Sequence, residues 1–264
     1  MAGPATVGPL VASNLGIPTV DVGNPMLSMH SAREMCGSRD QPWMARVMAA
    51  YLGLREQAAG LGIDADRLAI GGDSAGANLS ASVLHSLAAS GGPMPAVQLL
   101  IYPGVDARLC SVSMQELSQS PLLPLERIRW YLDLYLPEGQ DMTAPRFSPL
   151  YSTRLAGQPP AFVLAAGHDP LWDDGHAYAE ALQAAGVPVE LAAYPGQVHG
   201  FLNLTRILPQ GTEAVDMNIA KVSSGASETG AAAGQVLSSA SELARQASTL
   251  GDKVHEFLDR VRAA

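Results

Sequence analysis

Five short apolar runs, set apart by stretches of helical periodicity, constrain the fold of this chain more than any other feature. The runs are IPTVDV (17–22), RLAIGGD (67–73), VQLLIYP (97–103), AFVLAAG (161–167) and VELAAYP (189–195). Helical stretches fall between them, at about 41–60, 75–89, 125–136 and 173–185. Strand, helix, strand at this spacing forms βαβ units, and such units build a parallel sheet with helices on its faces. Sheets of this kind bind ligands in the crevice at the carboxyl ends of their strands. Chemistry is therefore expected just after residues 73, 103, 167 and 195.

The first of these positions carries Gly-Asp-Ser-Ala-Gly at 72–76, a G-x-S-x-G between the strand LAIG and a helix opening on ANLSASVLHSLA. A sharp strand-to-helix turn needs little bulk on either side of the serine, and Gly72 and Gly76 both fit that need. The turn lifts the Ser74 hydroxyl above the sheet, and the helix amino terminus favours negative charge there. The backbone N–H of Ala75 is placed to donate to a carbonyl oxyanion. The bland alternative is a glycine-lined turn with no chemistry.

A serine hydroxyl needs a base, usually histidine held by a carboxylate. Asp169 follows the strand AFVLAAG and His199 follows VELAAYP, in the chain order Ser, Asp, His expected of such a sheet. Gly196 and Gly200 flank the histidine loop. Among the rivals, Asp173, Asp174 and His176 in DPLWDDGH suggest a metal cluster, but the two aspartates better suit the start of the next helix. His85 lies within a helix and is expected to be half exposed. His30 and His255 sit in segments without other site signals, and His168 is a base only if His199 is displaced.

Composition excludes several classes. Hydrophobic residues make up 47% of the 264 and charged residues 16%, which suits a large buried core rather than disorder. The net charge of −9 and the lack of a basic cluster speak against nucleic acid. Cys36 and Cys110 fit neither a metal spacing nor a disulfide framework, and are expected as buried or half-buried thiols. No signal peptide and no membrane span is read from the sequence, so a cytoplasmic protein follows by default.

From about residue 215 to Ala264 the chain has no proline or tryptophan and is rich in Ala and Ser. Small or apolar residues recur there with 3-4 spacing, from Val215 and Ile219 through Leu243 and Ala247 to Phe257 and Val261. A seam held that long predicts a coiled-coil helix. The expected division is thus a sheet domain over 1–210 and a helical tail over 215–264.

The segments DRLAIGGDSAGANL, LLIYPGVDAR, GHDPLWDDG and YPGQVHGF resemble successive landmarks of the hormone-sensitive-lipase-like esterases, over residues 3 to 210 or so. The resemblance implies an α/β-hydrolase fold and a triad of Ser74 as nucleophile, Asp169 as orienter and His199 as base. It further implies hydrolysis of short-chain carboxylic esters without metal or organic cofactor, the partner being a small acyl ester. Amide, lactone or thioester chemistry on the same triad stays open. The family's His-Gly-Gly-Gly oxyanion loop occurs nowhere in the sequence. AGPATVGPL resembles the segment just downstream of it, so the amino-terminal half of the sheet is expected to be incomplete and activity low. Residues 218–264 resemble the carboxyl-terminal end of a methyl-accepting chemotaxis protein. That resemblance implies a helical tail able to self-associate or dock on a partner helix, and with it the alternative of a non-catalytic interaction protein.

Overall fold

The computed structural model describes residues 64–136 and 139–204, with scattered positions outside them (26, 27, 35, 36, 55, 57, 58, 60, 214, 217, 220, 224 and 225). The run at 17–22 and almost all of the tail lie outside the described residues. Of the helix expected over 41–60, positions 55, 57, 58 and 60 are described and helical.

Two two-residue strands, β1 (Met26–Leu27) and β2 (Met35–Cys36), pair antiparallel. The main sheet holds β3 (Ala69–Asp73), β4 (Val97–Ile101), β5 (Ala161–His168) and β6 (Val189–Val198), in the order β3-β4-β5-β6 and all parallel. Helix α1 (Ala75–Ser90) joins β3 to β4, and α4 (Trp172–Ala184) joins β5 to β6. The longer link from β4 to β5 holds α2 (Val112–Glu116) and α3 (Leu125–Tyr135).

Four of the five expected strands are thus present, and the differences at their ends have local causes. β3 starts at Ala69 because Ala65–Arg67 form a 3₁₀ turn, capped by the Asp64 carboxylate accepting from Asp66 N–H at 3.0 Å. β4 stops at Ile101 because Tyr102 turns to a φ of 36°. β6 runs on through Pro195 to Val198; proline lacks an N–H for the ladder, and among the described strands β6 is the outer one beside β5, where that loss is tolerated. The five-residue α2 is too short to leave a periodic signal.

Period-two alternation sorts the central strands onto two faces. Leu100 and Val163 meet Ala77 and Ala81 of α1 and Tyr178, Ala179 and Leu182 of α4 in one buried cluster. Both helices lie on this face, as right-handed crossovers require when each strand adds beside the last in one direction. Ile101, Leu164 and Ala166 point the other way, onto Phe201 and Leu202 of the 3₁₀ turn Phe201–Leu204. A third cluster, Met114, Leu123, Leu125, Ile128 and Leu171, packs the β4–β5 link against the start of α4.

Candidate active site

The strand register brings the reactive side chains together. Asp73 ends β3 opposite Ile101, and Ser74 N–H donates to Ile101 C=O at 2.9 Å, so Ser74 sits at the carboxyl edge of the sheet. The serine has φ 55° and ψ −118°, a conformation rare for a residue with a side chain. It occupies the N-cap of α1, yet its hydroxyl makes no capping bond. An N-cap serine ordinarily turns back onto its own helix; here the strained turn points Oγ outward, 3.0 Å from His199 Nε2.

Gly72 and Gly76 play unequal parts in this turn, against the expectation that both are needed for want of bulk. A Cβ on Gly72 would lie 2.4 Å from the Gly76 carbonyl carbon and 2.5 Å from its oxygen. A Cβ on Gly76 would meet nothing within 4 Å among the described residues outside its own helix turn. The closeness of β3 to the first turn of α1 therefore rests on Gly72. Ala77 and Asn78 N–H both donate to Ser74 C=O, at 3.1 and 3.2 Å. Ala75 N–H, one residue into the helix, has no carbonyl a turn earlier to bond.

The second half of the site is built by a slip in register between β5 and β6. Ala166 pairs with Tyr194, but His168 pairs with Val198, so β6 contributes extra residues across that interval. Gly167 permits it: a Cβ there would lie 2.2 Å from Pro195 O. Beyond the slip the next residues on the two strands are Asp169 and His199. Asp169 Oδ2 lies 2.6 Å from His199 Nδ1, and its Oδ1 accepts Leu171 N–H at 2.9 Å. The carboxylate is fully buried and the histidine side chain 11% exposed, so the pair is shielded from water while Nε2 reaches Ser74.

Asp173 and Asp174 stand in the first turn of α4, as expected, but their carboxylates serve as anchors for the link after β4. Asp174 Oδ2 accepts Val105 N–H at 2.9 Å and Asp106 N–H at 3.1 Å. Burial pushes the Asp174 carboxyl up to about 7 against the lowering effect of those two bonds, with Asp106 and Asp169 adding repulsion. Asp173 Oδ2 accepts Ser113 N–H at 2.7 Å. From α1, Asn78 Nδ2 donates to Gly104 and Phe147 C=O, at 2.7 and 2.9 Å. Asn78 and Asp174 carry no motif signal beyond their places in a helix's first turns, and sequence reasoning gave neither this role.

The rivals fall elsewhere. His85 is 5% exposed, not half exposed: its Nε2 pairs with Tyr178 Oη at 2.9 Å and its Nδ1 with Gln158 Nε2 at 3.2 Å. Burial lowers it to about 4, so it is neutral at physiological pH. His176 Nδ1 bonds Trp172 C=O, and His168 is exposed at the end of β5. Cys110 is exposed, contrary to the expected buried or half-buried thiol, with its Sγ 3.7 Å from Asp106 Oδ2; the Cys36 side chain lies outside the described residues. His30 and His255 lie outside them too. No helix among the described residues is long and apolar enough to cross a membrane.

A hydroxyl, an imidazole and a buried carboxylate in one hydrogen-bonded line is an arrangement able to activate the hydroxyl as a nucleophile. Known proteins resemble the chain across this region. It is 40% identical over 188 residues to the carboxylesterase NlhH of Mycobacterium tuberculosis, covering 69% of this chain and 59% of that protein. It is 36% identical over 208 residues to the ethyl acetate hydrolase of Pseudomonas putida, covering 78% and 63%. A solved structure of an ester-hydrolase from the metagenome of Lake Arreo, complexed with a derivative of bipyridine phosphonate, superposes with a TM-score of 0.62 at 42% identity. That match covers 70% of this chain and 57% of the other. The chain thus spans about three fifths of the length of the curated relatives it matches.

Two family models match. One, aminopeptidase I zinc metalloprotease (M18), covers residues 2–51, including the run at 17–22 that the sequence suggested as a hydrolase strand. Of those residues only 26, 27, 35 and 36 are described. The other covers residues 44–203, more than half of the chain, and takes in the four parallel strands and all three residues of the hydrogen-bonded line; by that match the chain belongs to the alpha/beta hydrolase fold family.

Proposed function

We propose that the chain is a carboxylic ester hydrolase acting through an acyl-enzyme, with Ser74 as nucleophile, His199 as base and Asp169 as orienter. The line from Ser74 Oγ through His199 to the buried Asp169 carries the reading. Ser74 Oγ attacks the ester carbonyl carbon as His199 Nε2 takes its proton. Asp169 holds Nδ1–H and steadies the imidazolium that forms. The carbonyl oxygen, now negative, lies toward Ala75 N–H at the amino terminus of α1. Collapse expels the alcohol, which takes the proton from Nε2 and leaves an acyl group on Ser74. Water then attacks this acyl group by the same route, releasing the acid and restoring Ser74.

The named relatives favour esters of small acids as substrates, since one is an ethyl acetate hydrolase. No His-Gly-Gly-Gly loop stands in the sequence, and each missing oxyanion donor costs about 10²- to 10³-fold in rate. Slow ester turnover is therefore the expected outcome. Labelling of the purified chain by a fluorophosphonate probe, lost in Ser74→Ala, is the expected result. A folded chain that takes no label, or a Ser74→Ala variant labelled as well as the parent, overturns the reading.

The seam over 215–264 supports a second proposal, of a helical unit separate from the hydrolase unit of 1–210, through which two copies associate. Sedimentation of the full chain tests it. Monomers at high micromolar concentration, or dimers that persist when Leu243 and Leu250 are changed to Asp, exclude association by that seam.

A further inference from the structure

Tyr102 combines four features that packing alone does not explain. It directly follows β4 opposite Ser74, since Asp73 pairs with Ile101. Its φ of 36° is a conformation that a bulky residue seldom adopts, least of all before a proline, which further narrows the choices of its predecessor. Its side chain is 1% exposed, and its hydroxyl has no hydrogen-bond partner among the described residues. Its ring centroid lies 4.7 Å from that of His199, the planes tilted by 58°, and 6.3 Å from that of Phe201.

Strain held at one residue beside a reactive group points to a use for the conformation. An ordinary extended residue would carry the ring on along β4. The turn at 36° sets it instead beside the imidazole. His199 stands on a loop just past β6, with Gly200 at a φ of 73° next to it. Two hydrogen bonds fix the ends of its ring, Nδ1 to Asp169 and Nε2 to Ser74, but bonds to two ends leave the plane free to tip about the line between them. A large, immobile ring against one side removes that freedom, and backbone bonding holds the ring in turn: Tyr102 N–H donates to Leu164 C=O at 2.7 Å.

We propose that Tyr102 is a positioning residue whose aromatic ring, and not its hydroxyl, holds the His199 imidazole in the plane that serves Asp169 and Ser74 together. The inference rests on the hydrolase reading of Ser74 and His199 for its rate prediction and on geometry alone for its spectroscopic one. Tyr102→Phe keeps the ring and deletes a buried hydroxyl without a described partner, a change close to neutral. Tyr102→Leu and Tyr102→Met keep apolar volume and lose the flat wall.

Two measurements on the full chain decide it. Fluorophosphonate labelling is expected within about twofold of the parent for Tyr102→Phe, and slower by roughly 10- to 100-fold for the two aliphatic variants, as for a reacting group displaced by a fraction of an ångström. In proton NMR of chain labelled with ¹⁵N-histidine, the His199 Nδ1–H proton, downfield in its 2.6 Å bond to Asp169, is expected to persist in Tyr102→Phe and to broaden or vanish in the aliphatic variants. Tyr102→Phe behaving like Tyr102→Leu overturns the proposal by giving the role to the hydroxyl. Aliphatic variants with parental labelling and an unchanged Nδ1–H signal overturn it outright. If neither aliphatic variant folds, contacts between His199 and Tyr102 ring protons in the parent's nuclear Overhauser spectrum remain the test, and their absence removes the wall. A parent chain that takes no label overturns the esterase reading, and the Nδ1–H comparison then decides the role of Tyr102 by itself.

Discussion

A methyl group placed on Gly72 has an effect that follows directly from the distances around the Ser74 turn. The new Cβ would lie 2.4 Å from Gly76 C, 2.5 Å from Gly76 O and 2.9 Å from Ala77 N. Ordinary carbon contacts fall at about 3.5 to 4.0 Å, so the overlap exceeds about 1 Å and falls on backbone, which cannot swing aside as a flexible side chain would. The first turn of α1 must move off β3. Overpacking of this kind costs about 1 to 3 kcal/mol, equivalent to a fall of roughly 2 to 12 °C in melting temperature at this size. Ser74 moves with the turn, and displacing a reacting group by 1 Å costs on the order of 10²-fold in rate. Gly72→Ala is therefore expected to melt lower in differential scanning fluorimetry and to lose most fluorophosphonate labelling at temperatures where it stays folded. Gly76→Ala, whose Cβ meets nothing within 4 Å among the described residues outside its own helix turn, is expected to melt at or slightly above the parent, since alanine costs less backbone entropy in a helix than glycine. A Gly72→Ala chain with parental melting and labelling, or a Gly76→Ala chain that suffers the larger loss, would refute the reasoning.

Gly167→Ala sets its methyl against the Pro195 backbone at the β5–β6 slip, so labelling should fall by about 10²-fold or more; parental labelling would show that the slip does not align Asp169 with His199. Asp169→Asn removes the charge that steadies the imidazolium, and labelling is expected to drop by about 10⁴-fold with the circular dichroism spectrum unchanged. Two buried groups tilt stability with pH in opposite senses. His85 lies below its ordinary value, so its contribution is complete above pH 6.5 and is lost as pH falls toward 4. Asp174 lies above its ordinary value, so its contribution is complete below pH 3.8 and is lost as pH rises through 7. Urea unfolding between pH 4 and 6.5 should then show a stability slope lower than the parent's in His85→Gln and higher in Asp174→Asn, by up to about 1.4 kcal/mol per pH unit each; changes of the same sign would contradict the assignment.

Much of the site was legible because its parts obey short-range rules. A strand-to-helix turn around a serine leaves a mark within five residues, and Asp169 and His199 each follow a strand that its apolar run identifies. What was not legible depends on contacts between distant segments. Gly72 and Gly76 look equivalent in the sequence, and only the approach of α1 to β3 separates them. Gly167 is one glycine among many until β6 passes close behind it. His85 is a polar side chain whose exposure on α1 the sequence overstated; it shares the buried stripe of Ala77 and Ala81, where Tyr178 and Gln158, 93 and 73 positions away, close over it. Tyr102 left one local hint, a bulky residue before proline at a strand end, whose meaning appears only when His199 is placed beside it.

The three central residues come from the ends of β3, β5 and β6, with β4 supplying the Tyr102 wall between them. Each distance in the line is therefore set by neighbouring ladders: β3 with β4 fixes Ser74 against Tyr102, β4 with β5 fixes Tyr102 against Leu164, and the slipped β5–β6 pairing fixes Asp169 against His199. All of these pairings lie between residues 69 and 198. The hydrogen-bonded line thus depends on a contiguous four-strand segment. Alignment of the nucleophile and stabilisation of the transition state are separable demands, and they predict separable results. This chain should label with a fluorophosphonate, an activated electrophile that needs a single reaction at an aligned serine and base, although its phosphonyl oxygen also gains from oxyanion donors. It should turn over an aryl ester slowly, because turnover also demands the oxyanion donors. Fast turnover of a short-chain aryl ester would show that the four-strand segment meets both demands by itself.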